Sequence, residues 1–167
     1  CIMWKRIAAY GTAAVLGIVC AVGFFSVFTI IRVTGTGMEP AYEAGSHVLV
    51  HKLAYHKKMP QIGDVVAIRH QVYSEDGEDS ILIRRVAGHP GDRIEIRNNV
   101  FYRNGKPCPS SAKTMPEDVV MEDFSPRTLG KGEVFLLCDD RRSFMDSRNE
   151  AIGILTVEDC IGKVCMP

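Results

Sequence analysis

The residues able to do chemistry gather in three short stretches. The first is Gly35-Thr36-Gly37-Met38-Glu39-Pro40, and the second runs Ile83-Arg84-Arg85-Val86-Ala87-Gly88-His89-Pro90-Gly91-Asp92. The third is Cys138-Asp139-Asp140-Arg141, followed closely by Asp146-Ser147-Arg148. Hydrolysis by a side-chain hydroxyl needs a nucleophile and an unprotonated base within hydrogen-bond reach of it. Ser46, Ser143 and Ser147 offer hydroxyls, and His47, His51 and His89 offer bases, so a fold that joins one of each would make a dyad. Metal chemistry has less support. No close Cys or His pair has zinc-finger spacing, and His47 and His51 stand four apart in an expected strand rather than on a helix face. No metal site and no small-molecule cofactor is expected.

These stretches need elements to hold them. Residues 7–31 form 25 consecutive uncharged positions, more than the roughly 20 needed for a membrane-spanning helix. Lys5 and Arg6 precede the run and only Arg32 follows at once, so the positive-inside bias puts residues 1–6 in the cytoplasm. A cleaved secretory signal would carry an apolar core of about 7 to 15 residues, shorter than this one, and an uncleaved anchor is expected. The expected division is a cytoplasmic end at 1–6, an anchor at 7–31 and an extracytoplasmic domain at 32–167. The expected location is the plasma membrane, crossed once. Cys1 stands where an initiating Met would be, which leaves room for a preceding segment.

Beyond the anchor, short apolar runs at residues 46–53, 65–68, 81–83, 134–138 and 160–164 read as strands. Residues 93–96 and 100–103 flank Asn98-Asn99, and Asn104-Gly105 follows, so two consecutive hairpins are expected. The acidic stretch 74–80 is expected to be an exposed, mobile loop. Four prolines (Pro107, Pro109, Pro116 and Pro126) make 106–132 an irregular excursion. No helix of ordinary length is evident outside the membrane. The fold class expected is all-β, antiparallel sheets or a partly closed barrel behind one N-terminal transmembrane α-helix.

Basic and acidic residues balance at 20 each, so no basic field argues for nucleic acid as a partner. With Cys1 and Cys20 set aside, Cys108, Cys138, Cys160 and Cys165 could meet an oxidising exterior, and four cysteines allow three full pairings. Cys160 and Cys165, five apart on one strand, would lie about 16 Å apart, too far for a bridge.

Taken in order, the anchor, the Met-x-Pro of Met38 to Pro40, Arg84-Arg85-Val86-Ala87-Gly88-His89-Pro90-Gly91-Asp92, Asn104-Gly105, the Asp-x-Arg of Asp139 to Arg141 and Asp146-Ser147-Arg148 resemble the type I signal peptidases of Gram-positive type. The resemblance covers essentially the whole chain. In that family a serine before Met-x-Pro is the nucleophile, and a lysine opening Lys-Arg-Val-x-Gly-x-Pro-Gly-Asp is the general base. Carried onto this chain, the nucleophile position is Gly37, without a side chain, and the base position is Arg84, whose guanidinium stays protonated. Thr34 and Thr36 would face away from the position of Gly37 in an extended segment. The family's Gly-Asp-Asn-Arg reads Cys138-Asp139-Asp140-Arg141, and Phe144 takes a site usually held by serine.

The resemblance therefore implies a supporting pair from Asp139 and Arg141, and a peptide groove bordered by Met38 and Pro40. Two arrangements are open for the base position. Arg84 is held in the cleft by Asp139 or Asp140, or Asp139 pairs with Arg141 and Arg84 points outward. Two functions are open as well. One is a membrane-tethered homologue without catalysis that binds exported preproteins or pilin subunits and assists pilus assembly, as some dyad-less homologues in pilus clusters do. The other is a working signal peptidase, a serine endopeptidase with a non-standard site. A decayed copy without function is a third reading.

Overall fold

A computed structural model describes residues 2–70, 80–108 and 120–166. The apolar run expected as one helix over 7–31 is divided. Helix α1 is Ile2–Val27, and Phe28–Arg32 leaves it directly as strand β1. The segment Arg6–Val27 is long and apolar enough to cross a membrane. The break has a local cause. Thr29, Ile30 and Ile31 are β-branched and favour extended backbone, and their strand pairs antiparallel with β2 (His47–His51), Phe28 opposite His51 and Arg32 opposite His47. Lys52 closes the helix end, its amide donating to the Val27 carbonyl at 2.9 Å and its Nζ to the Phe25 carbonyl at 2.7 Å. Phe28 stacks between Phe24 and His51, so the helix passes into the sheet without a linker.

The remaining strands are β3 (Val65–His70), β4 (Ser80–Gly88), β5 (Arg93–Arg97), β6 (Val100–Arg103), β7 (Lys106–Pro107), β8 (Phe124–Thr128), β9 (Glu133–Leu137), β10 (Leu155–Thr156) and β11 (Cys160–Met166). They build a seven-stranded sheet ordered β1-β2-β11-β3-β4-β9-β10 and a four-stranded sheet ordered β7-β6-β5-β8. Every pairing recorded is antiparallel. The expected all-β class with one N-terminal apolar helix is the class found. Both hairpins appear: β5 pairs with β6 through Asn98 and Asn99, and Asn104-Gly105 joins β6 to β7, with all four turn residues at positive φ.

The irregular excursion expected over 106–132 is corrected in part, since β7 and β8 lie within it. Both are edge strands of the small sheet, where Pro107 and Pro126 need donate nothing to a ladder. Of the mobile loop expected at 74–80, residues 74–79 lie outside the described residues, and Ser80 belongs to β4.

Alternation along β3 and β4 feeds two faces of the large sheet. Val65, Ala67 and Ile83 pack with Val33, Met38 and Val50, whereas Val66, Ile68, Leu82 and Val86 pack with Val134, Leu136, Ile152 and Leu155. A third cluster joins the small sheet to β9 through Ile94, Ile96, Phe101, Phe135 and Leu137. Gly162 marks where β11 crosses closest to the turn after β2, since a Cβ there would collide with the backbone of His51 and Lys52.

One half-buried carboxyl gives the sheet a pH dependence. Burial works against charge on Asp64, but hydrogen bonds from Lys163 Nζ (2.7 Å), the Gln61 amide (3.1 Å) and the Tyr55 hydroxyl (3.0 Å) outweigh it and hold the carboxyl below its usual range. A carboxyl with a depressed folded pKa stabilises above its unfolded value, about 3.9, and that stability is lost as pH falls through the folded value. Denaturant midpoints should thus fall on acidification below about pH 4. In Asp64→Asn the fall should be shallower; an identical profile in both proteins would rule this network out as a contributor.

Candidate active site

Gly37 lies in the turn after Val33, buried, with its carbonyl accepting from the Asp140 amide at 3.0 Å. That bond ties the first stretch to the third, and β4 brings the second beside them. A Cβ built on Gly37 would meet Cys138 Sγ at 3.1 Å, Ser143 Oγ at 3.2 Å and Arg84 Cζ at 3.6 Å. The three motifs thus converge on one point, and a thiol and a hydroxyl from the third stretch close the space a side chain would need.

Arg84 follows neither arrangement expected from the sequence. It is buried, only 2% exposed, yet its guanidinium bonds neither Asp139 nor Asp140; Nε donates to the Met145 carbonyl and Nη1 to the Ile83 carbonyl, each at 2.5 Å. Asp139 is taken by the neighbouring Arg85, whose Nε and Nη2 grip both its oxygens at 2.7 and 2.5 Å. Adjacent strand residues face opposite ways, so Arg84 serves one side of β4 and Arg85 the other. The Asp139 hydrogen bond raises the Arg85 pKa against the opposing effect of burial.

The supporting pair of Asp139 with Arg141 is likewise corrected. Arg141 is buried, and its Nη1 is a buried nitrogen without any hydrogen-bond partner. Burial, and then the like charge of Arg148, pull its pKa down. The strong pair in this loop is Asp146 with Arg148, at 2.8 Å and with both side chains almost wholly buried.

Met38 and Pro40 separate. Met38 is 1% exposed and packs the core with Val33 and Ile83, while Pro40 is exposed beside Glu39, Glu43 and Ala44 around a shallow depression of about 370 Å³. Only Pro40 of the two offers surface to a peptide.

The hydroxyls weighed from the sequence also separate. Ser46 Oγ donates to the Glu43 carbonyl and Ser147 Oγ accepts from the Leu136 amide, so both are engaged away from Gly37. Ser143 alone of the three stands at the vacated point. None of His47, His51 and His89 is among the atoms nearest that point. His51 stacks on Phe28 at the helix junction and the His89 ring lies beside the Pro90 carbonyl.

The neighbour of Ser143 is the Cys138 thiol, pushed up to about 11 by burial first and by the Asp146 charge second, although Arg84 and the hydrogen bond with Ser143 oppose this. Only a trace is thiolate at neutral pH, so it neither attacks nor takes a proton from Ser143. Sequence reasoning passed over Cys138 as a site residue; the signal was present, because the family's glycine there had become a larger residue while its serine had become Gly37. Exposure and pKa together predict selective alkylation. Iodoacetamide at pH 7.5 should modify the exposed Cys165 and spare Cys138 in the folded protein, with both modified after denaturation. Peptide mass spectrometry reads the difference, and rapid modification of Cys138 would show an open, activated site.

A model of the family described as signal peptidase, peptidase S26, matches residues 3–167. The chain is 28% identical to signal peptidase I S of Bacillus subtilis strain 168 over 95% of its own length and 86% of that protein. It is 31% identical to signal peptidase I of Bacillus caldolyticus over 87% of its length and 83% of that protein. A crystal structure of signal peptidase I from Enterococcus faecalis V583 superposes with a TM-score of 0.51 at 22% identity, covering 65% of this chain and 98% of that one. That likeness concerns the fold.

Proposed function

This chain belongs to the signal peptidase family, peptidase S26, and from that premise we propose that it is a membrane-anchored member that binds exported proteins without cleaving them. The observation that carries the reading is the convergence at Gly37. The point where the family's nucleophile would project holds no side chain, and the thiol of Cys138 and the hydroxyl of Ser143 crowd it at 3.1 and 3.2 Å from where a Cβ would stand. Beside it stands a guanidinium that donates to two carbonyls and has no lone pair with which to take a proton. Hydrolysis requires both an attacking atom and a base, and each position lacks its group.

The anchor is α1, with Lys5 and Arg6 on the cytoplasmic side and the β domain outside. The bound chains are preproteins carrying signal peptides. Pilin subunits are a second class of exported client, and that assignment rests on analogy with dyad-less homologues. The catalytic reading keeps one specific observation in its favour, the Ser143 hydroxyl lying beside the vacated point. Its obstacle is the absence of a base.

Photo-crosslinking separates the two. A preprotein with a photoreactive residue just before its signal-peptide cleavage point, added to the full chain in liposomes, should crosslink to it and remain full length. Release of the mature protein would favour the catalytic reading. Absence of any crosslink above that of a mature, signal-less control would remove the binding reading.

A further inference from the structure

On the Arg85 side of β4, residues of both sheets enclose a cavity of about 620 Å³, within the range of small-ligand sites. Its apolar wall comes from Ala87 of β4, Phe101 of β6, Pro107 of β7 and Leu137 of β9. Among the described residues its charged lining is all of one sign, with Arg85, Arg103, Lys106 and Arg141.

These cations are not equally free. Arg85 spends its guanidinium on Asp139 and on the Gly63 carbonyl. Arg103 donates to the Ala87 carbonyl at 3.2 Å and sits 3.9 Å from an Asp92 oxygen. Lys106 is exposed and has no carboxylate partner among the described residues. Arg141 is 8% exposed, and its Nη1 is the one buried side-chain polar atom lacking a partner among the described residues. A buried charged donor left unmatched is costly, and a cavity against it that is otherwise apolar and cationic favours an anion.

We propose that this cavity binds a small amphiphilic carboxylate, its carboxyl group taken by Arg141 and Lys106 and its apolar body laid against Phe101 and Leu137. A guanidinium fork matches a planar carboxylate in two parallel hydrogen bonds. The apolar wall favours an organic anion over a free inorganic ion as the occupant. Because Nη1 is sealed from solvent, occupation includes a rotation of the Arg141 side chain toward the cavity it already lines. The site is separate from the Gly37 cleft and stands whether or not that cleft cleaves peptides.

Isothermal titration of the full chain in phosphatidylcholine nanodiscs tests it, with empty nanodiscs as the blank. The probes are octanoate and N-acetyl-leucine, each beside its neutral amide, octanamide and N-acetyl-leucinamide. At least one carboxylate should bind tenfold or more tightly than its amide, and the tighter of the two tells an acyl source from a peptide one. Arg141→Met should erase the preference for the carboxylate. Lys106→Gln, at an exposed position that leaves the fold alone, should weaken carboxylate binding several-fold, so the test survives even if the Arg141 variant does not fold. Equal affinity for acid and amide, no saturable heat from either acid, an unchanged affinity in Lys106→Gln, or inorganic phosphate competing as well as octanoate would each overturn the proposal.

Discussion

Gly37→Ser combined with Arg84→Lys and Cys138→Gly is expected to cleave a preprotein, while Gly37→Ser with Arg84→Lys alone is expected to remain nearly silent. The reason lies in space rather than chemistry. A serine at 37 would put its Cβ 3.1 Å from Cys138 Sγ and 3.2 Å from Ser143 Oγ, closer than side chains ordinarily approach, before its own hydroxyl is added. Cys138 is fully buried and its amide is bonded to Asp146, so the thiol has little room to withdraw. Packed interiors resist extra atoms, and the resulting shift would carry the new hydroxyl away from the base. Removing the thiol restores the glycine that the family's motif carries there. A misplacement of the reacting atom by about 1 Å costs about 10²-fold in rate. The triple variant should therefore exceed the double by at least that order in a single-turnover assay, and equal activity would show that the thiol does not obstruct the site.

The second large effect concerns stability. Asp146 is fully buried and accepts four hydrogen bonds, one from the Cys138 amide at 2.8 Å and three from Arg148, from its amide, Nε and Nη2 at 3.1, 2.9 and 2.8 Å. Asp146→Ala strips the pairing charge from a guanidinium whose side chain is only 3% exposed. Breaking a buried ion pair from one side costs about 3–5 kcal/mol, because the remaining charge stays unpaired. Urea unfolding should show a loss of that size, and the double variant Asp146→Ala with Arg148→Met should recover part of it. A loss below about 1 kcal/mol would mean that the loop opens to water and that the pair does not fix the position of Ser143.

Much of the fold was legible because strand signals are local. Val65 to Ile68, Val134 to Leu137 and the turns at Asn98-Asn99 and Asn104-Gly105 carry their own patterns, and each reappears as expected. Strand β1 was hidden because its apolar residues continue those of α1 without a polar break, and composition cannot tell a lipid-facing residue from a sheet-facing one. β8 was hidden behind Pro126, which an edge strand tolerates. In the site, motif order brought Gly37, Arg84 and the Asp139 loop together. It could not distribute the charges, because Arg84 and Arg85 are adjacent and only the facing of β4 decides which reaches Asp139. The unmatched nitrogen of Arg141 follows from that choice, since Arg85 occupies the carboxylate that the motif alone would give it.

The measurement closest to the central claim is cleavage of a purified preprotein by the unmodified full chain in liposomes, beside Ser143→Ala and the triple variant. The account predicts no mature product from the unmodified chain or Ser143→Ala over a time in which the triple variant converts its substrate. Mature product from the unmodified chain, abolished by Ser143→Ala, would contradict it and identify Ser143 as the nucleophile of a working peptidase.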